Sequence, residues 1–417
     1  MRRRATEVAL LLGMVACGAG PALEHATKTG DPAAAAPSAS VTSAVAAAAV
    51  PAPAPSPGIA ATAAGVSAPA SSATDALPPP RPATIPLASG NDQPGDHDLA
   101  AGDLALAGGD LASAERGYAA ARAAGAKSAA AVGLARVQIA RSGVALDYGA
   151  AKGSSSIGAV AADLARVVKE APSFGPAFVE LGRARLLRGD APGAIDALKR
   201  GTDLLPDEPE AHSQLGVAWL ATGHADQAVR ELSRAVDLDP GSGERHGNLG
   251  TALLMTGRTK EAIAQYEIHA RIDDGDARAH SDLGTALLAT TDLERALSEL
   301  ARATSLEPGR ASFHSNLGYA LQQSGRFDRA VSEYRESIRL DPNLASAWIN
   351  LATILAKNPA TRRDAREALA RAAAASPDDP RVKANLDELN ALEKGPPPGP
   401  SSASPGSSRG APGSPRP

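Results

Sequence analysis

An all-α stack of antiparallel helix pairs is the fold this sequence predicts, and three observations carry it. The segment Leu-Gly-Thr-Ala-Leu-Leu occurs at 249–254 and again at 283–288, an offset of 34 residues. At that period, leucine (Leu181, Leu215, Leu249, Leu283, Leu317), glycine (Gly182, Gly216, Gly250, Gly284, Gly318) and alanine (Ala194, Ala228, Ala262, Ala296, Ala330) fill columns without a gap across 175–344. A proline column follows at Pro206, Pro240, Pro308 and Pro342, broken once by Asp274. A single globular core imposes no fixed period on its chain, whereas like units stacked on one another do.

Within one unit the pattern is helical. In 209–242, Leu215, Val217, Ala218, Trp219 and Leu220 crowd one segment. Ala228, Val229, Leu232, Ala235, Val236 and Leu238 recur at helical spacings in a second. Thr222-Gly223-His224 is a short turn between them, so the two helices run antiparallel. Pro240 has no amide hydrogen and closes the second helix. Gly216 and Ala228 lack bulk, which lets the two backbones approach where they cross. One such pair cannot bury its own apolar face, so its neighbours must cover it.

With Leu215, Gly216, Ala228, Leu232, Ala235 and Pro240 at these offsets, the unit resembles the tetratricopeptide repeat (TPR) family. The resemblance implies a TPR α-solenoid, a right-handed superhelix of antiparallel helix pairs. It also implies a concave groove, lined by recurrent positions of each first helix, that holds peptides or partner helices. Carried onto this sequence, the partner-binding groove is Val217, Leu220, Thr251, Leu254, Met255, Thr285, Leu288, Tyr319, Gln322 and Gln323. That lining is apolar, small and neutral. Leu and Met suit an extended segment or an amphipathic helix. The alternative is that these side chains merely complete helix packing. The clamp with which some members grip a C-terminal carboxylate needs Lys and Arg here, and only Arg183, Arg278 and Lys357 occur, scattered.

Composition bounds the rest. Of 417 residues, Pro, Ala, Ser and Gly dominate roughly the first quarter and the last twenty-odd, leaving about 300 to fold as one array. Aromatics are only 3%, so the array packs mostly with Leu, Ala and Val. A net charge of −4 argues against a general nucleic-acid binder. The single cysteine excludes an intrachain disulfide.

In chain order, residues 1–16 form a signal-like segment, with Arg2, Arg3 and Arg4 before an apolar run too short to span a bilayer. Met14-Val15-Ala16-Cys17 resembles a bacterial lipoprotein box, which implies lipid attachment at Cys17; the alternative is an ordinary signal peptide or an unpaired thiol. Residues 17–94 offer no periodic apolar face and read as a disordered Pro/Ala/Ser-rich tether. Two degenerate units occupy 95–174, the second lengthened by an insert around 142–157 that reads as a floppy surface loop. Its Lys152-Gly-Ser-Ser-Ser run lacks the order of a phosphate loop. Six repeats span 175–379, the last with one extra residue near Asn358-Pro359. Residues 380–394 form a capping helix with Val382, Leu386, Leu389 and Leu392 on one stripe. Residues 395–417 read as a disordered Pro/Gly/Ser tail.

Few residues suggest chemistry. His212, His246, His280 and His314 recur at one repeat position, but on helices too far apart to converge on one metal ion. They read as large side chains packed between helices. His269 stands where small Ala is expected, in the repeat that has Asp274 for Pro, and marks 243–276 for looser packing. Asp273-Asp274-Gly275-Asp276 lacks the spacing and distal Glu of a calcium loop and reads as a solvated turn. No nucleophile constellation occurs. The sequence therefore predicts a non-enzyme without cofactor, metal, nucleic acid or small-molecule substrate. Its expected role is a scaffold that binds proteins or peptides in the bacterial cell envelope, lipid-anchored at the outer membrane or periplasmic face. A soluble TPR adaptor, and a docking arm for an enzyme on another chain, remain open.

Overall fold

A computed structural model describes residues 84–394 apart from 92, 145–147 and 291. The expected signal segment, Cys17, nearly all of the tether and the tail lie outside the described residues. Among those described, 17 α-helices and one 3-10 turn occur and no strand. The opening units are α1 (Asp96–Ala107) with α2 (Leu111–Ala123), and α3 (Lys127–Arg141) with α4 (Ser155–Glu170). The regular repeats follow as α5 (Gly175–Leu187) with α6 (Ala191–Leu204), α7 (Pro209–Ala221) with α8 (Ala225–Leu238), and α9 (Gly243–Met255) with α10 (Thr259–Ile272). Next come α11 (Ala277–Leu288) with α12 (Leu293–Leu306), and α13 (Ala311–Gln323) with α14 (Phe327–Leu340). The last are α15 (Ala345–Leu355), α16 (Arg362–Ala375) and α17 (Pro380–Lys394).

The chain divides into two compact units, with the boundary between Glu333 and Tyr334. In the first, the 34-residue columns have distinct mechanical roles. Gly189, Gly223, Gly257 and Gly325 end first helices with φ between 75 and 77°, a left-handed conformation that side chains disfavour. At Gly223 the following amide, His224 N, donates to the Trp219 carbonyl at 2.9 Å, so the last helical carbonyls are capped. The other glycine column has a steric role. A Cβ on Gly216 would meet Leu232 at 2.4 Å, and one on Gly182 would meet Leu198 at 2.3 Å. The second helix thus lays a fully buried leucine over the glycine of the first. Opposite, Ala194, Ala228, Ala262 and Ala296 are fully buried. Successive first helices α5, α7, α9, α11 and α13 touch in order, forming one continuous face.

Two expectations are corrected in this unit. The tether does not extend to residue 94 without a partner: Ile85 is buried in a cluster from α5 to α7, and Leu87 in the cluster of the opening units and α5. The part of the insert from Tyr148 to Ser154 is not a loose loop either. Gly149 N and Ala151 N donate to the Leu186 and Leu187 carbonyls at 2.9 and 2.8 Å, and the Tyr148 hydroxyl donates to the Gly189 carbonyl at 3.0 Å. Ala151 is buried. The inserted backbone therefore adds donors to carbonyls in the last turn of α5, where the Leu186 carbonyl also accepts from Gly189 N.

In the second unit, Ala352, Ala365, Ala368, Leu369 and Leu389 form a small core, with Trp348 and Leu386 packed against it. The extra residue of the sixth repeat is taken up by the 3-10 turn Pro359–Thr361, where Asn358 Oδ1 accepts from Ala360 N at 3.0 Å. Of the capping stripe, Val382 and Leu389 are buried and Leu386 half-buried, but Leu392 is exposed. The Leu392 carbonyl instead accepts from Arg362 Nη1 at 2.9 Å.

Candidate functional site

The predicted groove residues all lie on the touching first helices α7, α9, α11 and α13, but they are not equally available. Leu220 and Thr251 are buried and complete the packing, which corrects their assignment as groove lining; Val217 is buried in one cluster with Ile85, so it is covered by the chain's own segment. Thr251 Oγ1 donates to the Gly247 carbonyl at 3.1 Å and lies 3.0 Å from the Tyr266 hydroxyl. Burial, with the Asp282 carboxylate adding to it, holds the Tyr266 phenol well above its ordinary value near 10. The phenol therefore keeps its proton and donates to Thr251, so this pair faces inward. Leu254, Met255 and Leu288 are half-buried on one apolar cluster. Thr285, Tyr319 and Gln322 are half-buried as well, and Gln323 is exposed. The available strip is thus the part from Leu254 to Gln323.

A second row, on these first helices and on α5, escaped the sequence reading. Glu180, Gln214, Asn248, Asp282 and Asn316 share one repeat position, are all polar, and are all buried. Asn316 Nδ2 donates to Ser281 Oγ of the preceding repeat at 3.3 Å. Asn248 is 0% exposed, and neither atom of its amide has a hydrogen-bond partner. Buried amides are normally paired, because each unmet group costs roughly 1–3 kcal/mol. The signal was visible: a polar residue every 34 positions, just before the Leu-Gly pair.

The histidines do more than fill space. Nδ1 of His212, His246, His280 and His314 lies 2.7 or 2.8 Å from Glu231, Gln265, Glu299 and Glu333 on the second helix of the same repeat. Nε2 lies 2.9 or 3.0 Å from the carbonyls of Pro206, Pro240, Asp274 and Pro308 in the preceding turn. Each ring therefore ties its own hairpin to the turn that enters it. Trp348 Nε1 makes the same bond, to the Pro342 carbonyl at 2.9 Å. A carbonyl only accepts, so Nε2 carries hydrogen in each case. Asp274 keeps the staple intact because the bond uses its main chain, and its side chain pairs with Arg302 at 3.0 Å.

At His212 burial works against charging the ring. The Glu231 hydrogen bond and the Pro206 carbonyl outweigh it and hold the pKa above the ordinary 6.5. A raised folded pKa stabilises fully below the unfolded value and loses that contribution as pH rises through the folded value. His212→Ala is accordingly expected to cost about 1–2 kcal/mol for two lost hydrogen bonds. The loss should be larger at pH 5.5 than at pH 8.5, as read by urea denaturation at both; equal losses would contradict the account.

His269 is accommodated by the facing helix, where the sequence leads one to expect looser packing. It is buried, its Nε2 lies 3.1 Å from Asp276 Oδ2, and the facing helix α9 carries glycine where the ring lands. A Cβ on Gly243 would meet His269 Cδ2 at 2.7 Å, and one on Gly247 would meet Nδ1 at 2.7 Å. The bulk on one helix is matched by missing side chains on the other.

Residues 281–345 and 316–380 match the tetratricopeptide repeat family model, so tetratricopeptide repeats are present there. Residues 184–272 match the model of the bacterial transcriptional activator domain; the glycine and alanine columns run through that stretch unbroken. No curated protein matches the chain. Among solved structures, a chain of the APC/C hetero-tetramer Cut9–Hcn1 is 16% identical with a TM-score of 0.53, over 69% of this chain and 56% of that one. MamA is 25% identical with a TM-score of 0.36, over 40% of this chain and 96% of its own. PilF of Pseudomonas aeruginosa is 18% identical with a TM-score of 0.45, over 51% and 97%. The first of these supports the helical-repeat fold and nothing finer.

Proposed function

We propose that the chain is a non-catalytic scaffold whose first-helix face, from Leu254 to Gln323, takes an extended segment or an amphipathic helix of another protein. The observation that carries this reading is the half-buried strip of Leu254, Met255 and Leu288, continued by Tyr319 and Gln322 on helices that touch in order. A neutral, adaptable strip backed by a rigid row of helices favours apolar side chains arriving in sequence. The reading extends to a lipid at Cys17 that holds the module at a bacterial envelope membrane. None of the described helices is long and apolar enough to cross a membrane.

Met255→Asp with Leu288→Asp tests the groove. In crosslinking pulldowns with the full chain, the unaltered protein should capture partners that the double variant loses at least tenfold, while helix content stays the same. Identical capture by both would sink the proposal. Cys17→Ala tests the anchor separately: membrane association should be lost, and unchanged soluble behaviour would favour the unanchored adaptor.

A further inference from the structure

Residues 84–89 pack on first helices from α1 to α7 without helix or strand of their own, and they are buried in alternation. Ile85 and Leu87 are each 5% exposed, while Pro86 between them and Ser89 beyond are exposed. A period of two is what an extended backbone shows against a surface. Ile85 joins the apolar cluster of Val179, Leu186 and Val217, and Leu87 joins that of Leu99, Val132 and Leu181. The main chain is held as well. Arg136 Nη1 donates to the Ile85 carbonyl at 2.9 Å, and the Leu87 amide donates to Asp103 Oδ2 at 2.8 Å. Pro86 offers no amide hydrogen between these two clamps.

The clamps are built by the array. Asp103 Oδ1 accepts from the Tyr118 hydroxyl at 2.8 Å, and Arg136 Nε donates to Glu180 Oε1 at 2.6 Å. Arg136 and Glu180 are each 3% exposed, yet Arg136 Nη2 and Glu180 Oε2 have no hydrogen-bond partner. A charge pair buried at the cost of desolvation, holding one main-chain carbonyl and keeping unused hydrogen-bonding capacity, suits a surface that reads a peptide backbone. The segment's link to α1 lies at the surface, whereas the clamps are buried or half-buried. Beyond Leu87 it turns at Gly90 and Gly95, with φ of 70 and 88°, and Ser89 bonds to the Asp96 carboxylate at the surface.

We infer that this is a peptide-binding site filled by the chain's own segment, and that it takes in trans an extended stretch of another protein with an aliphatic–proline–aliphatic pattern. The inference deepens the protein-binding reading, but it rests on α1, α3, α5 and Val217 of α7 rather than on the Leu254–Gln323 strip, so either can fail alone. A ligand tethered by a short linker has an effective concentration of about millimolar. The unaltered chain therefore resists weak competitors and yields to a partner that binds more tightly or to withdrawal of the segment.

The probe is the labelled heptapeptide Ala-Thr-Ile-Pro-Leu-Ala-Ser, copied from 83–89, titrated by anisotropy into the full chain and into its Ile85→Ser/Leu87→Ser variant. The variant should bind at least tenfold more tightly than the unaltered chain. A peptide with N-methyl-leucine, which lacks the amide hydrogen that Asp103 accepts, should bind the variant at least tenfold more weakly. A folded variant that ignores the peptide, or binds both forms equally, overturns the proposal. So does a concentration-dependent dimer of the unaltered chain that the serine changes abolish, since a second copy would then be the occupant. Should the serine pair lose helix, the unaltered chain is read by hydrogen exchange. Peptide at about millimolar concentration must then speed exchange at the Leu87 amide, and no change overturns the proposal.

Discussion

Arg136→Ala is expected to destabilise the opening repeats by about 3–5 kcal/mol, because it leaves a buried carboxylate without its partner. The Arg136 and Glu180 side chains are 2% and 4% exposed, and their 2.6 Å contact is the centre of a network that also holds Asp103 and the Ile85 carbonyl. Burial alone would lower the Arg136 pKa; the Glu180 carboxylate outweighs that and raises it, so the guanidinium stays charged. Truncation strands Glu180, whose second oxygen has only the Arg183 guanidinium 3.9 Å away. The pair itself contributes little against an apolar replacement, so Arg136→Met with Glu180→Met should recover most of the loss. Stability in a stack is a sum of local terms, and the damage should therefore stay local. Hydrogen exchange should show faster opening across α1 to α5 and unchanged protection in α11 and α12. Arg136→Ala protein with native exchange in α3 and α5 would contradict this.

How much of this was legible follows from where each signal lies along the chain. The glycine column reports contacts between residues 16 apart on paired helices, such as Gly216 under Leu232 and Gly250 under Tyr266, and recurs at 34 residues, so the period exposes it. The staples were half visible. The histidine column stood out, but Glu231, Glu299 and Glu333 lie 19 residues downstream on another helix, amid other surface carboxylates that look the same in sequence. The docked segment was hidden for a compositional reason. Only Ile85 and Leu87 distinguish it from the Pro- and Ala-rich stretch before it, and two apolar residues set no period. The groove assignment placed residues on the right helices but could not rank them. Whether a position faces outward depends on what its neighbours add: Thr251 is drawn inward by Tyr266, whereas Leu254 on the same helix remains half-buried.

The exchange of bulk between α9 and α10 leads to a result that neither helix predicts alone. Gly247→Ala is expected to cost about 1–3 kcal/mol, since its Cβ would lie 2.7 Å from His269 Nδ1 in a packed interface. The ring cannot swing freely, because Nε2 is held 3.1 Å from Asp276 Oδ2. Burial pushes the Asp276 carboxyl up, but the bond from His269 outweighs it and keeps that carboxyl below its ordinary value of 3.8, so the acceptor is ionised near neutrality. His269→Ala restores the residue found at this column in Ala235 and Ala303, but alone it opens a gap above two glycines and removes the Asp276 contact. It should also cost about 2–4 kcal/mol. Together, Gly247→Ala and His269→Ala return small residues to both sides. The double variant should then be more stable than the sum of the single losses by about 1–2 kcal/mol, a coupling typical of side chains in contact. Urea denaturation of the four proteins measures that coupling. Strict additivity would mean that the glycines do not make room for the ring, and the repeat 243–276 would then be the loosely packed unit that its departures from the columns suggest.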